Sequence, residues 1–361
     1  MNLAPQIDAS SLMAQIRQWA LELGFSQIAV ADIDLSTAEA GLNAWLQAGF
    51  HGSMHYMQAH GLKRARPAEL LPGTVRVLSV SMPYLPRSTA PGWQALEWQG
   101  LSDANLASVS LYARGRDYHK VLRQRLQALV DKMAAAVGPF GHRVFTDSAP
   151  VLEVEIASRS GVAWRGKHTL ALRRDAGSMF FLGEIFIDFA LPLTPPVQAH
   201  CGTCQSCINV CPTKAIIAPY KLDARLCISY LTIEHAGSIP LELRPLIGNH
   251  LYGCDDCQLI CPWNKFAAPS TLADFDTREP FAHANLIDLW SWNEDEFLRR
   301  TEGGPIRRIG FERWQRNLAV VSGNALRVQH SHELRSAMTQ AHPINSPMVQ
   351  EHMDWALKVS P

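Results

Sequence analysis

The sequence predicts a mixed α+β / α/β chain in three parts, over residues 1–192, 193–270 and 271–361. Three observations carry that prediction. Helix-like and strand-like patterns alternate through the first part, as in an α/β domain. All 8 cysteines of the 361-residue chain fall between Cys201 and Cys261. Beyond them the pattern turns helical, acidic at first and then rich in arginine. A chain of this length has room for two or three domains. Its composition, 47% hydrophobic and 18% charged, is that of an ordinary globular protein. The formal net charge is zero, so no overall field draws nucleic acid, and any such contact rests on local patches. No apolar run is long enough to cross a bilayer. Residues 1–20 lack the basic start and apolar core of a signal peptide, and no twin-arginine pair is present. The expected compartment is a reducing cytoplasm.

The first part reads as follows. Residues 10–24 form an amphipathic helix, capped by Ser10 or Ser11, with Leu12, Ile16, Trp19 and Leu23 at helical spacing and Gly24 as its stop. Residues 27–33 are a short strand. A second helix opens at Ser36, where Ser36 and Glu39 fit a capping box, and continues through Leu42, Trp45 and Leu46. A strand follows at 75–80, after the Pro72-Gly73 turn. Between them Lys63, Arg64 and Arg66 lie on a loop, either a solvated basic turn or an anion or cofactor-amide contact. Residues 87–107 are turn-rich. Then Tyr112, Arg114, Arg116, Asp117, Tyr118 and His119 crowd in front of a helix at 120–136, whose Leu122, Leu126, Leu129 and Met133 share a face. A helix start attracts anions, although the same cluster also serves as a packed cap.

Val144 and Phe145 end a strand, and Asp147 follows it. A carboxyl at that place in an α/β domain suits a general acid. The alternative is that Asp147 caps the helix opening near Pro150. Glu153 is a second candidate carboxylate. The helix ends at Gly161, and Trp164, Gly166, Lys167 and His168 make a tight turn into a strand. Residues 178–189 are an apolar core strand or hairpin.

The cysteines carry the strongest signal. Cys201, Cys204, Cys207 and Cys211 stand at x2, x2 and x3 spacing with Pro212 after the last, the bacterial ferredoxin pattern. Cys254, Cys257 and Cys261, followed by Pro262, form a second run, and Cys227 lies between the two. Short x2 loops bring three thiolates to corners of one cube, while the fourth is carried to the other cluster. Eight thiolates suit two 4Fe–4S clusters. Cys201, Cys204 and Cys207 would share one with Cys261, and Cys211 would share the other with Cys227, Cys254 and Cys257. Structural zinc also uses Cys-x2-Cys pairs, but rarely this run with its proline. A disulfide framework would scatter cysteines over a secreted chain.

Past the cysteines, residues 271–300 are acidic and aromatic, with a helix at 292–299. Arg307, Arg308, Arg313 and Arg316 then interleave with Phe311 and Trp314. Arginine with aromatics is one pattern of nucleic-acid contact; the alternative is a solvated helix face over a buried tryptophan. Two short helices, 332–341 and 347–358, could be a rudimentary helical-repeat unit.

Together these elements resemble the epoxyqueuosine reductase family. The resemblance rests on ARPAELLPG around Arg66, YARGRDYHK from Tyr112, VFTDSAPVLE around Asp147, GVAWRGKHTL from Gly161, the 201–212 run, DARLCISYLTIE around Cys227, YGCDDCQLICPWN from Tyr252 and IRRIGFERWQRN from Ile306. They span most of residues 1–325 in the family's order. One departure is Glu153-Val154, where the family often has Glu-Arg.

The resemblance implies a nitroreductase-like cobalamin-binding domain at 1–192, a ferredoxin-like domain with two 4Fe–4S clusters at 193–270, and a small HEAT-like helical region at 271–361. It implies reduction of epoxyqueuosine to queuosine at the wobble position of tRNA, with a design similar to corrinoid reductive dehalogenases. Asp147 corresponds to the family's proton donor, and its pKa should be raised by burial beside the corrin. Arg66, Tyr112, Asp147, Trp164, Lys167 and His168 correspond to cofactor-pocket regions. No axial-histidine motif is present, in keeping with a base-off corrinoid. Arg307, Arg308, Arg313 and Arg316 would hold the anticodon stem-loop, and a flavodoxin or ferredoxin system would supply electrons to a monomer free of any membrane. A corrinoid reductase of small molecules and a plain iron–sulfur carrier are the competing expectations.

Overall fold

The computed structural model describes residues 8–358, so the outer ends of the first and last predicted parts lie outside the described residues. In chain order the first part runs α1 (Ala9–Glu22), β1 (Gln27–Ala31), α2 (Ser36–Gln47), β2 (Arg76–Pro83), β3 (Leu106–Val109), α3 (Tyr118–Val137), β4 (His142–Phe145), α4 (Glu153–Ser160) and β5 (Phe180–Ile187). Shorter turns between them are left unlabelled. α1 begins one residue earlier than expected because Asp8 caps it, its side chain accepting the Ser11 N–H. The capping box at Ser36 does not form. Leu35 precedes α2 without a side-chain hydrogen bond, and Glu39 pairs with Arg66 instead.

Four strands pair in the order β1-β2-β5-β4, every neighbour antiparallel. Alternating helices and strands ordinarily announce a parallel sheet; here the sheet is antiparallel, and the domain is α+β. β5 is central and buried at seven of its eight positions. One face meets α1 and α3 through Leu12, Ile16, Leu122 and Leu126. The other meets α4 through Ile156 and Ala157. A strand covered on both faces reads as a continuous apolar run, which is why 178–189 shows no alternation.

β3 does not join that sheet. It pairs in parallel with β6 (His250–Tyr252) and antiparallel with β7 (His283–Asn285). A strand from the first part is thus flanked by strands from the second and third. The boundaries near 192 and 270 mark changes of sequence character along one interlocked body. The cysteine segment is mostly turns, with short helices at Ser206–Val210 and Asp256–Leu259 in contact.

The last part contains α5 (Leu286–Trp290), α6 (Glu294–Arg300), α7 (Gly310–Val328), α8 (His332–Ala341) and α9 (Pro347–Leu357). α7 is its axis and packs against α5, α8, α9 and β6. Trp314 on α7 is fully buried and stacks on Trp292, the ring planes 5° apart. No described helix is long and apolar enough to cross a membrane.

Candidate active site and cysteine centres

The thiols fall into two sets, and none forms a disulfide. Cys201, Cys204, Cys207 and Cys261 line one cavity of about 740 Å³, with Trp263 and Phe266 on its wall. Burial first, and then the thiols of Cys201, Cys207 and Cys204, push Cys261 up to about 11. In the second set burial again leads. Cys211 acts on Cys227, Cys227 on Cys254, and both Cys254 and Cys227 on Cys257. The first set reaches the surface at Cys204, which is exposed.

Three residues expected at the corrin gather around that first set. Lys167 Nζ donates to the carbonyls of Gly202 (2.6 Å) and Cys204 (2.8 Å), stapling the cysteine loop. His168 is buried and its Nδ1 accepts the Leu170 N–H, while its Nε2 has no partner. Burial lowers its pKa to about 4, so the ring is neutral. Trp164 packs on Cys261 and meets Trp263 edge-on at 5.3 Å, its indole N–H also without a partner.

Asp147 sits two residues past β4 in a left-handed backbone conformation, φ +46°. It does not cap α4, whose first turn is preceded by Leu152. Three residues at the start of α3 organise it. Asp117 caps the helix and accepts the His119 N–H. His119 lies between two carboxylates, with Nδ1 2.8 Å from Asp117 Oδ1 and Nε2 3.2 Å from Asp147 Oδ2. Tyr118 donates its hydroxyl to the same Asp147 oxygen. The Tyr118 ring is fixed between His119 and Phe181, stacked on Phe181 at 4.2 Å. Tyr112 touches Tyr118 edge-on, which joins it to Asp147 through one intermediate ring.

The electrostatics differ from expectation. Burial would raise Asp147, but hydrogen bonds from His119 and Tyr118 and the His119 and Arg308 charges outweigh it, holding the carboxyl below its ordinary value. The side chain, hydrogen-bonded to His119 and Tyr118 through Oδ2, is 55% exposed. For His119, burial is outweighed by hydrogen bonds to Asp117 and Asp147 and by their charges, lifting it to about 9. At neutral pH an imidazolium therefore faces a carboxylate. The carboxyls that are raised lie behind: Glu153 by burial and the Asp147 charge, to about 8, and Glu184 on β5 by burial and the Glu153 charge. Glu153 accepts the Asp147 N–H. Sequence reading passed over Glu184, although a glutamate inside an apolar strand was a usable signal.

The arginines divide. Arg66 is engaged by Glu39 at 2.7 Å and Glu69 at 3.1 Å on the surface. Arg307 is exposed, and Arg308, 54% exposed, pairs with Glu234 while its charge reaches Asp147. Arg313 donates to the carbonyls of Ile309, Ile233 and Arg308. Arg316, expected at tRNA phosphates, is fully buried and donates to the carbonyls of Leu231, His235 and Gly237 and to Asn317 Oδ1. It is a core residue, because neighbouring elements surround α7; its neighbour Trp314 is buried for the same reason.

Comparison with known proteins accounts for both halves of this arrangement. Residues 200–264 match the family described as "4Fe-4S double cluster binding domain". Residues 64–148, which hold the Tyr118, His119 and Asp147 constellation, match "Epoxyqueuosine reductase QueG, DUF1730". The fold is similar to that of an epoxyqueuosine reductase solved with a tRNA-Tyr epoxyqueuosine-modified stem loop, at TM-score 0.82 and 21% identity over 97% of this chain and 99% of that one. An epoxyqueuosine reductase of Burkholderia pseudomallei is 54% identical over 97% of this chain and 93% of its own. One of Alicycliphilus denitrificans is 65% identical over 97% of this chain and 98% of its own. With nearly the whole of both sequences aligned at such identity, and the cysteine and Asp147 motifs in place, the chain belongs to the epoxyqueuosine reductase family.

Proposed function

We propose that this chain reduces epoxyqueuosine to queuosine in tRNA, using two 4Fe–4S clusters and cobalamin. The observation that carries the reading is the chain of hydrogen bonds from Asp117 through His119 to Asp147, ending at a carboxylate open to solvent. The residues present fit the cofactors. Each thiol set offers four soft donors, the ligand chemistry of a cubane. Both ring nitrogens of His119 are engaged by carboxylates, so this ring would serve the bound cofactor as a proton carrier and not as a metal ligand. Asp147 and Tyr118, with Tyr112 behind, would border the cofactor, and Tyr56 and Arg308 lie near enough to act electrostatically on Asp147 or be acted on by it. When bound, cobalamin supplies the metal centre at which two single electrons are collected.

The epoxide takes up two electrons and two protons and becomes an alkene and water. Asp147 delivers protons to the oxygen as its C–O bonds break. Because Asp147 is held ionised at rest, each proton it hands over comes from the His119 imidazolium across the Nε2···Oδ2 contact, and His119 takes up a proton from solvent between the two deliveries. Asp117 keeps the ring aimed while it is charged and discharged. Tyr118 fixes the acceptor oxygen. Arg308, whose charge reaches Asp147, and its exposed neighbour Arg307 would hold anticodon stem-loop phosphates. Cys201, Cys204, Cys207 and Cys261 would hold a cluster reachable from the surface at Cys204, and Cys211, Cys227, Cys254 and Cys257 would hold the other; when bound, the clusters supply single electrons. The helices from α5 to α9 read as a shortened HEAT-like unit, and the working form as a cytoplasmic monomer served by a flavodoxin or ferredoxin.

Anaerobic turnover tests this reading. Reconstituted protein is mixed with epoxyqueuosine-containing tRNA and a strong reductant, with and without cobalamin, and the nucleosides are weighed. Loss of one oxygen that requires cobalamin is expected. Unchanged mass with clusters and cobalamin both bound would overturn the reading in favour of a small-molecule reductase.

A further inference from the structure

Glu153 and Glu184 take no part in the reaction just described. We propose that they form a proton-sharing carboxyl pair that latches the Asp147 turn in its working position. The inference rests on Asp147 being the acid.

The geometry begins with strain. Asp147 occupies a left-handed conformation, φ +46°, that few residues other than glycine adopt, aspartate and asparagine more readily than most. Within the turn, Ser148 N–H bonds to the Thr146 carbonyl and Val151 N–H to that of Ala149. The contact that ties the Asp147 backbone to a rigid element is its N–H to Glu153 Oε1, on the first residue of α4. Glu184 stands behind. On β5 it pairs in register with Phe145 of β4 and Ser79 of β2, so the three side chains share a sheet face. Phe145 packs there with Ile156 of α4, which places Glu184 under that helix. Glu184 is fully buried, and neither of its oxygens completes a hydrogen bond. A charge so placed without a partner is not sustainable. The polar groups adjoining it are the Ser79 hydroxyl across the sheet, itself without a partner, and the Glu153 carboxyl, the one that titrates.

Two adjoining carboxyls keep a proton between them. Glu184 then donates toward Glu153, and Glu153 keeps an oxygen for the Asp147 N–H. The other titratable groups facing the pair are Asp147 itself and, from α3, Tyr118 and His119. Losing the shared proton at alkaline pH would set two anions against each other and a third at Asp147, and the turn would come free. Burial raises both carboxyls, Glu153 to about 8 and Glu184 well above the ordinary carboxylate range, so the last proton of the pair leaves only on the alkaline side. Both are positioning residues.

The test uses protein carrying clusters and cobalamin. Hydrogen exchange of the 146–152 segment and kcat and KM are followed against pH, with Asp147→Asn in parallel. Glu153→Ala should speed exchange there by roughly tenfold and lower kcat by about a hundredfold, with KM for tRNA unchanged. Glu153→Gln, which still accepts the N–H, should restore most of both. Glu184→Gln should keep the segment protected over the alkaline range in which the parent opens. Ordinary exchange and kcat in Glu153→Ala would overturn the latch. An unchanged alkaline opening in Glu184→Gln would overturn the shared proton, and that profile decides the matter if Glu153→Ala fails to fold. Full activity in Asp147→Asn would instead sink the acid on which the latch depends, whatever the exchange shows.

Discussion

Replacing Arg316 with methionine separates a structural arginine from an RNA contact. The guanidinium is fully buried and donates to the carbonyls of Leu231, His235 and Gly237. Leaving a buried acceptor unsatisfied costs about 2 kcal/mol, so these three and Asn317 Oδ1 together cost about 8. Against this stands relief from burying a charge. Burial lowers the arginine from its ordinary value to about 10, which at about 1.4 kcal/mol per unit is roughly 3 kcal/mol. The net loss is about 5 kcal/mol. With a urea m-value of about 3 kcal/mol/M, the unfolding midpoint should fall by about 1.5 M. The carbonyls belong to the turn that follows Cys227, so iron bound by the second thiol set should fall with it. Binding of a tRNA stem-loop by the folded fraction should keep its salt dependence. An unchanged midpoint combined with a flatter salt dependence would show that Arg316 reaches phosphate and would refute the buried network.

Other outcomes follow from the same geometry. Arg307→Gln with Arg308→Gln should weaken stem-loop binding and lower the log–log salt slope by roughly 1.4–1.8, about 0.7–0.9 per phosphate; an unaltered slope would send the RNA to another face. The fold raises His119 to about 9, so its stabilising contribution is complete below its ordinary value of 6.5 and fades as pH rises through about 9. Turnover should decline over that same alkaline range, and the decline should vanish against a lower plateau in His119→Gln; a parent profile flat to pH 10 would remove the imidazolium from the relay. Asp147→Asn should cost about 10²- to 10⁴-fold in kcat with cluster spectra intact. Lys167→Met should loosen the Gly202 and Cys204 carbonyls and take iron content toward half, whereas full iron would make that staple dispensable.

The cysteine spacing made the cluster segment legible, because short loops between ligands are a local property. Asp147 was legible as a carboxyl just beyond a strand, and the start of α3 as a polar cluster. The charge state of Asp147 was not, since it depends on His119 and Arg308 arriving from elements far apart in sequence. Arg316 was misread for a related reason. On a helix, arginine beside tryptophan looks the same whether water or carbonyls receive the guanidinium, and only the chain from 231 to 237 folding over α7 decides it. Trp164, Lys167 and His168 were rightly seen as a tight turn, yet which cofactor centre it borders is set by the Cys201–Cys207 loop. The sheet was expected from alternation, and its antiparallel order depends on crossovers that periodicity does not report.

The pairing of β3 with both β6 and β7 has a temporal side. At roughly 5–20 residues per second, a ribosome that has finished β3 needs about 10–35 seconds more to complete β7. For that interval β3 has two bare edges, which are prone to pairing with other chains. The thiols of both sets are made within the same window. Iron delivered early would meet ligands not yet held in place, so cluster insertion should follow release of the finished chain, and fragments ending near 192 or 270 should aggregate instead of loading metal.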